Sequence, residues 1–272
     1  YRAAKLSIAS LLAHDGTLLL GIDDEGCREI RTQLPSDRRI VTYGFDATAD
    51  LRVDVLQSTA SGQLLKLQLR SASVEIQTAV VGRHNALNIL AAAGLAEQAG
   101  VAANEIREGL AQIISVPGRM ERIDVGQPFS VFVDYAHTPD GIAQCVATAR
   151  TLTSGRVILA FGAGGDRDRS KRPLMAMAAR HSDIVVVTSD NPRSERPDQI
   201  IADIVKGFAS PERVLTFVDR HEGIRKALML AQPGDVVVIA GRGHEKNQQI
   251  GERKICFDDR RVTRRLILEL LT

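Results

Sequence analysis

Five short runs in the second half of the chain, at residues 129–133, 157–161, 184–187, 214–217 and 236–240, limit its fold more than any other feature. Each is apolar almost throughout, rich in β-branched residues and too short to be a helix. Strands covered on both faces read this way, whereas a strand with one wet face alternates. Helical segments separate the runs. Residues 198–206, for example, place Ile200, Ile201, Ile204 and Val205 on one face, with Pro197 near the start. Strand and helix in strict alternation predict an α/β domain: a Rossmann-like open parallel sheet with helices on both sides.

Four of these strands run directly into polar clusters: residues 134–140 (DYAHTPD), 164–168 (GGDRD), 190–193 (DNPR) and 241–245 (GRGHE). Any one of them is ordinary turn chemistry. Four at the same edge of a parallel sheet point to a site, because ligands bind outside the carboxyl ends of such strands. Asp166, Arg167, Asp168, Asp190, Asn191 and Arg193 are expected in one crevice, with Arg167 and Arg193 facing a common hollow. Both signs of charge suit a zwitterion better than a polyanion. His137 and His244 fall in the clusters, while the histidines overall lack metal-ligand spacing. No GxxxxGK[ST] loop occurs, and Gly162, Gly164 and Gly165 do not match the dinucleotide fingerprint.

The first half reads differently. Residues 1–13 have helical spacing, 18–22 and 39–45 are strand candidates, and a short helix follows Asp23-Asp24-Glu25. Three runs between 51 and 81 alternate in part, which predicts a meander with one wet face. Helices follow at 82–98 and 103–113, and Pro117-Gly118 breaks the pattern. The domain boundary is therefore expected between residues 1–117 and 118–272.

Composition excludes several classes of function. The 272 residues are 44% hydrophobic and 25% charged, enough for a soluble globular protein with an ample core. A net charge of +2 and few aromatics argue against nucleic acid or a membrane surface as partner. No run approaches a membrane span and no signal peptide is visible. Cys27, Cys145 and Cys256 are scattered, which fits a reducing cytoplasm. The chain begins at Tyr1, in what reads as the middle of a helix, and is expected to be a fragment.

Taken together, YRAAK at Tyr1, GRHNALN at Gly82, PGRMERI at Pro117, VDYAHTPDGI at Val133, GAGGDRDRSKRPLM at Gly162, TSDNPRSE at Thr188, AGRGHE at Ala240 and FDDRR at Phe257 resemble the Mur ligase family. They stand in the family's order over nearly the whole chain, and the likeness is to its UDP-N-acetylmuramoyl-tripeptide synthetase branch. The resemblance implies ATP-dependent amide formation in peptidoglycan precursor synthesis. ATP phosphorylates the terminal carboxylate of UDP-MurNAc-L-Ala-D-Glu, and the amine of meso-diaminopimelate attacks the acyl phosphate. It also implies a monomer, and a chain made of the back part of the central ATP-binding domain plus the amino-acid-binding domain. The phosphate-cradling loop would lie upstream of Tyr1, so these residues alone would make no product.

Residue by residue, the resemblance makes Lys5 the lysine that is carboxylated to a carbamate and binds Mg²⁺. Such an amine, of pKa about 10.4, must be neutral to capture CO₂, and the product is an anionic oxygen ligand. Asn85 and Asn88 fall on the adenine side. Arg119 reaches the nucleotide, Asp134 holds the ribose, and Tyr135 and His137 belong to the same loop. Lys5, Arg119 and His137 would form the catalytic set. Arg167, Asp190, Asn191, Pro192, Arg193, Gly241 and Glu245 would hold the amino acid. DNPR goes with meso-diaminopimelate rather than L-lysine, and an arginine fork suits the extra carboxylate. Departures are Gly21, Arg196, Arg242 (commonly lysine) and Asn247 (commonly tyrosine). The alternatives are a ligase for L-lysine or glutamate, such as a folylpolyglutamate or cyanophycin synthetase, and a Mur-like scaffold without catalysis.

Overall fold

The computed structural model describes residue 4, residues 6–35 and residues 38–272. The chain forms two compact units, one of residues up to 58 with 62–114, the other of residues 59–61 with 115–272.

In the first unit a five-stranded sheet is ordered β1 (Thr17–Gly21), β2 (Arg39–Gly44), β3 (Leu51–Thr59), β4 (Gly62–Gln68), β5 (Ser73–Thr78). The first three are parallel and the last two antiparallel. Alternation in β3 and β5 buries Leu51, Val53, Val74 and Ile76 and leaves Arg52, Asp54 and Glu75 in water, as the meander pattern requires. The buried face packs on α2 (Arg83–Gln98) through Ala86, Leu90 and Ala93, and on α3 (Ala103–Ala111) through Ile106 and Leu110. Helix α1 (Glu25–Gln33), which precedes β2, buries no residue, and β1 is accordingly only half covered. Of the helix expected over 1–13, the described residues Ala4 and Leu6 are helical, and Ser7–Leu11 tightens into a 3-10 turn. No side chain caps it, and Ile8 and Leu11 are exposed. A helical stripe without a core to bury against gains little stability.

The second unit holds the predicted parallel sheet. Its strands are β6 (Glu121–Arg122), β7 (Ser130–Asp134), β8 (Val157–Phe161), β9 (Ile184–Thr188), β10 (Leu215–Phe217) and β11 (Val236–Ala240). They are ordered β10-β9-β8-β11-β7-β6, so the chain runs outward from β8 to β10 and returns to insert β11 between β8 and β7. Only the short edge strand β6 is antiparallel. Every residue of β8 and β11 is buried, which is why these runs show no alternation. One face (Val131, Val133, Ile158, Ala160, Val237, Ile239) packs on Ile224, Ala227 and Leu228 of α7 (Arg220–Leu230) and Leu266 and Ile267 of α8 (Asp259–Leu271). Helices α4 (Pro139–Thr151), α5 (Lys171–Ala178) and α6 (Pro197–Val205) complete the series. The sequence did not announce the hairpin of β12 (Asn247–Ile250) and β13 (Arg253–Cys256), whose residues are polar, short and without an apolar run. Among the described residues no helix is long and apolar enough to cross a membrane.

Asp235 ties the amino-terminal edge of this sheet. It accepts from the Arg156 amide at 2.9 Å, from Arg156 Nη2 at 2.6 Å and from the Gln232 amide at 2.8 Å. Burial is the largest single influence and opposes its charge, but the Arg156 guanidinium and the Gln232 and Arg156 amides together hold the carboxyl below its usual range. A carboxyl lowered in the folded state contributes stability that is complete above its unfolded pKa, about 3.9, and lost as pH falls through the folded value. Asp235→Asn should therefore lower the urea midpoint at neutral pH, and the gap from the parent should close as pH falls below about 4. A gap that stays constant with pH would show that the charge contributes nothing.

Candidate functional site

Three loops at the carboxyl edge of the second unit's sheet, following β8, β9 and β11, meet around one cavity of about 360 Å³. The loops after β8 and β9 are laced together by their backbones. The Gly165 amide donates to Asn191 O at 2.9 Å, and Arg193 Nη1 donates to Gly165 O at 2.7 Å. Only glycine fits at 165, because a Cβ there would stand 1.9 Å from the carbonyl oxygen of the buried Pro192. Arg167 and Arg193 both line the cavity and flank Gly164, where a Cβ would lie 2.9 Å from Arg193 Nη1 and 3.7 Å from Arg167 Cγ. Both arginines singled out in the sequence thus line one hollow.

The opposite charges come from the loops after β9 and β11. Asp190 is buried; its Oδ1 accepts from the Asn191 amide at 2.6 Å, while Oδ2 has no partner among the described residues. Burial raises the pKa of this carboxyl even though Arg220 and Arg242 pull it down. A buried acceptor without a donor is a rarity that asks for a ligand or water. Glu245 Oε2 accepts from Asn191 Nδ2 at 2.8 Å, and Asn191 Oδ1 accepts from the Gln249 amide at 2.8 Å. The Asn191 side chain is thus committed to holding Glu245 and the β12 hairpin. Gly241 has φ of +118°, and a Cβ there would meet Asp190 Oδ2 at 2.6 Å.

The loop after β7 stands at the edge of the same cavity. Arg119 lies over the Tyr135 ring at 5.0 Å, and Tyr135 in turn contacts the rings of His137 at 4.7 Å and His244 at 5.3 Å. His137 Nδ1 is 2.8 Å from Tyr135 O, and since a carbonyl only accepts, Nδ1 carries the proton and Nε2 is left as an acceptor. Asp134 has one backbone donor on each carboxylate oxygen, which leaves each a further lone pair. It is buried, with one oxygen taken by the Met120 amide and the other by the Ala136 amide, each at 2.7 Å. That arrangement anchors the segments bearing Arg119 and Tyr135.

Asn85 and Asn88 open α2 in the first unit. Asn85 is buried and donates to Val81 O at 2.8 Å, and Asn88 Nδ2 lies 3.4 Å from Asn85 Oδ1. Lys5 lies outside the described residues. Among those described, no three His, Cys, Asp or Glu side chains group to hold a metal. The spacing never singled out Arg172, which lines the cavity, nor Glu195, Arg220, Asp259 and Gln248, which stand outside its lining. No periodicity marks a lone buried arginine. Only the long motifs RDRSKRP and DNPRSE contained a hint.

Residues 118–243 match a family model described as "Mur ligase, glutamate ligase domain", and residues 1–96 match "Mur ligase middle domain". The UDP-N-acetylmuramoyl-L-alanyl-D-glutamate--2,6-diaminopimelate ligase of Syntrophomonas wolfei is 43% identical over 272 residues, covering 98% of this chain and 55% of its own. The ligase of the same name from Geobacillus thermodenitrificans is 45% identical over 232 residues, covering 85% of this chain and 47% of its own. The chain spans about half the length of the curated relatives it matches. A solved structure of a ligase of that name superposes with a TM-score of 0.63 at 34% identity, over all of this chain and 57% of the other. MurF from Acinetobacter baumannii superposes with a TM-score of 0.71 at 18% identity, over 99% of this chain and 54% of the other, a likeness of fold.

Proposed function

The chain belongs to the Mur ligase family, and we propose that it is part of an ATP-dependent ligase joining meso-diaminopimelate to UDP-MurNAc-L-Ala-D-Glu. The observation that carries this reading is the charge set of one cavity. Arg167 and Arg193 line it together with Asp190 and Glu245. Diaminopimelate brings two carboxylates and two amines, so each ligand charge has an opposite partner. L-Lysine has one carboxylate fewer and would leave a guanidinium unmatched, and glutamate has no distal amine for the acidic side chains.

The residues then divide by task. Arg167 and Arg193 hold carboxylates; Asp190 Oδ2 and Glu245 accept from amines; Asn191, Pro192 and Gly241 fix the loops that carry them. Arg119, Tyr135 and His137 are proposed for the nucleotide, with Asp134 as the residue that positions them, and Asn85 and Asn88 for the adenine side of the 1–117 domain. ATP, when bound, supplies the phosphoryl group that activates the acceptor carboxylate. Among the described residues no three His, Cys, Asp or Glu side chains group to hold Mg²⁺. What this chain's own side chains do is bring an amine, oriented by its fixed carboxylates, to that acceptor; such positioning supplies much of the rate of a ligation.

The test is a ligation assay of the full-length protein with UDP-MurNAc-L-Ala-D-Glu and, side by side, meso-diaminopimelate, L-lysine and L-glutamate. Diaminopimelate should be the preferred amino acid. Equal use of lysine or glutamate would overturn the assignment, and ligation of none of the three would favour a scaffold.

A further inference from the structure

Two loops present the paired guanidiniums, and something must fix the gap between them. Arg167 and Arg193 each adjoin a residue of a reciprocal clasp. The Asp166 amide donates to Glu195 Oε1 at 2.7 Å, and in return Asp166 accepts from Ser194 Oγ at 2.5 Å and from the Ser194 amide at 3.3 Å. Each loop's carboxylate thus takes the other loop's backbone N–H. The clasp holds the chain where it resists being held: Asp166 and Arg193 have φ of +53° and +51°, the left-handed region that side chains other than glycine rarely adopt. Such conformations persist only where the surroundings enforce them, and they gather at functional sites.

Behind the clasp stands Arg172, whose side chain is 1% exposed. Its Nη2 donates to Glu195 Oε1 at 2.8 Å, and its Nη1 donates to Asp203 Oδ2 on α6 at 3.1 Å. The Glu195 carboxyl is held below its usual range, chiefly by the Arg172 hydrogen bond. Glu195 therefore joins a buried cation to the loop ends that carry Arg167 and Arg193, without lining the cavity itself.

We propose that Glu195, backed by Arg172, is a positioning residue that sets the gap between the Arg167 and Arg193 guanidiniums and thereby the preference for an amino acid with two carboxylates. The proposal rests on the substrate reading above and deepens it. A two-point grip depends on spacing, whereas a ligand with one carboxylate uses either guanidinium alone and is insensitive to the gap.

The test uses the full-length protein and three variants, with KM for meso-diaminopimelate, L-lysine and ATP, kcat and Tm measured for each. Glu195→Gln keeps the shape but replaces one acceptor oxygen with a donor. It should raise the diaminopimelate KM about tenfold, the size of one lost hydrogen bond to a charged group, with lysine and ATP changed less than about twofold. Ser194→Ala, at an exposed position, removes the other arm and should shift the ratio the same way, which keeps the test open if Glu195→Gln does not fold. Asp203→Asn touches only the far side of Arg172, on α6, and leaves the Arg172 Nη2–Glu195 bond in place; it should lower Tm without changing the ratio. An unchanged diaminopimelate-to-lysine ratio in the clasp variants, whatever their Tm, overturns the proposal, as does an equal loss in Asp203→Asn. A parent protein with no preference for diaminopimelate overturns the substrate reading and this one with it, and that is seen before any variant is made.

Discussion

Arg193→Ala in the full-length protein should raise the KM for meso-diaminopimelate roughly 10- to 150-fold, the equivalent of about 1.5–3 kcal/mol for one charge-assisted contact. The KM for ATP should stay within about twofold, because the ATP-side residues lie on other loops. The structure gives reasons to expect loss of the contact rather than collapse of the loop. The Arg193 amide donates to Gln249 O at 3.1 Å and its carbonyl accepts from the Gly251 amide at 2.7 Å, and both bonds survive the substitution. The side chain itself is preorganised: Nη1 is fixed on Gly165 O, while the other guanidinium N–H groups have no partner among the described residues. Arg193→Lys separates charge from shape. It keeps the cation but loses the planar fork, and should fall between parent and alanine. L-Lysine should be affected less than diaminopimelate, since it has one carboxylate fewer to lose. An unchanged diaminopimelate KM would remove Arg193 from the site, and with it the charge matching on which the substrate assignment stands.

What could be read in advance was whatever leaves a period or a run in the sequence. Burial on both faces writes itself as unbroken Val, Ile and Leu, so β8 and β11 were legible to the residue. Burial on one face writes itself as alternation, and β3 to β5 followed. The crevice was legible because parallel topology sends every strand's carboxyl end to one edge. Interactions that are neither periodic nor local were hidden. Asn191 reads as a ligand-binding amide, yet both of its ends are engaged by Glu245 and Gln249. Asp134 reads as a ligand-holding carboxylate, and that it also takes the Met120 and Ala136 amides was not legible. Arg242 read as a mild departure from lysine; it is wholly buried and shares Asp259 with Arg220. Each of these depends on which distant residue arrives beside it, and spacing along the chain carries no record of that.

The same hidden layer sets the second large effect. Arg220 joins the ends of two strands, donating to Ser189 O just after β9 and to Ala240 O at the end of β11, each at 3.0 Å. Its fork is closed by Asp259, with Nε to Oδ1 at 2.9 Å and Nη2 to Oδ2 at 2.7 Å, and both side chains are 0% exposed. Arg242 leans on the same carboxylate at 3.5 Å. Burial and then the neighbouring Arg220 both disfavour the charge of Arg242, and Asp259 is the first group that opposes them. Asp259→Ala would leave two guanidiniums in the interior, with the half-buried Glu245, 3.7 Å from Arg242 Nε, as the carboxylate still in contact. Removing one partner of a buried pair costs about 3–5 kcal/mol. At about 2–4 °C per kcal/mol for a domain of this size, Tm should fall by roughly 6–20 °C. Pairing Asp259→Leu with Arg220→Met should cost less than the sum of the two changes, because one of the two stranded charges is gone, but it should not be neutral, because Arg242 still lacks the carboxylate and Ser189 O and Ala240 O lose their donor. Thermal melts of the two single variants and the double one measure this, and a single-variant Tm within about 2 °C of the parent would show that the buried carboxylate is not what holds the two strand ends, and the loops they carry, in register.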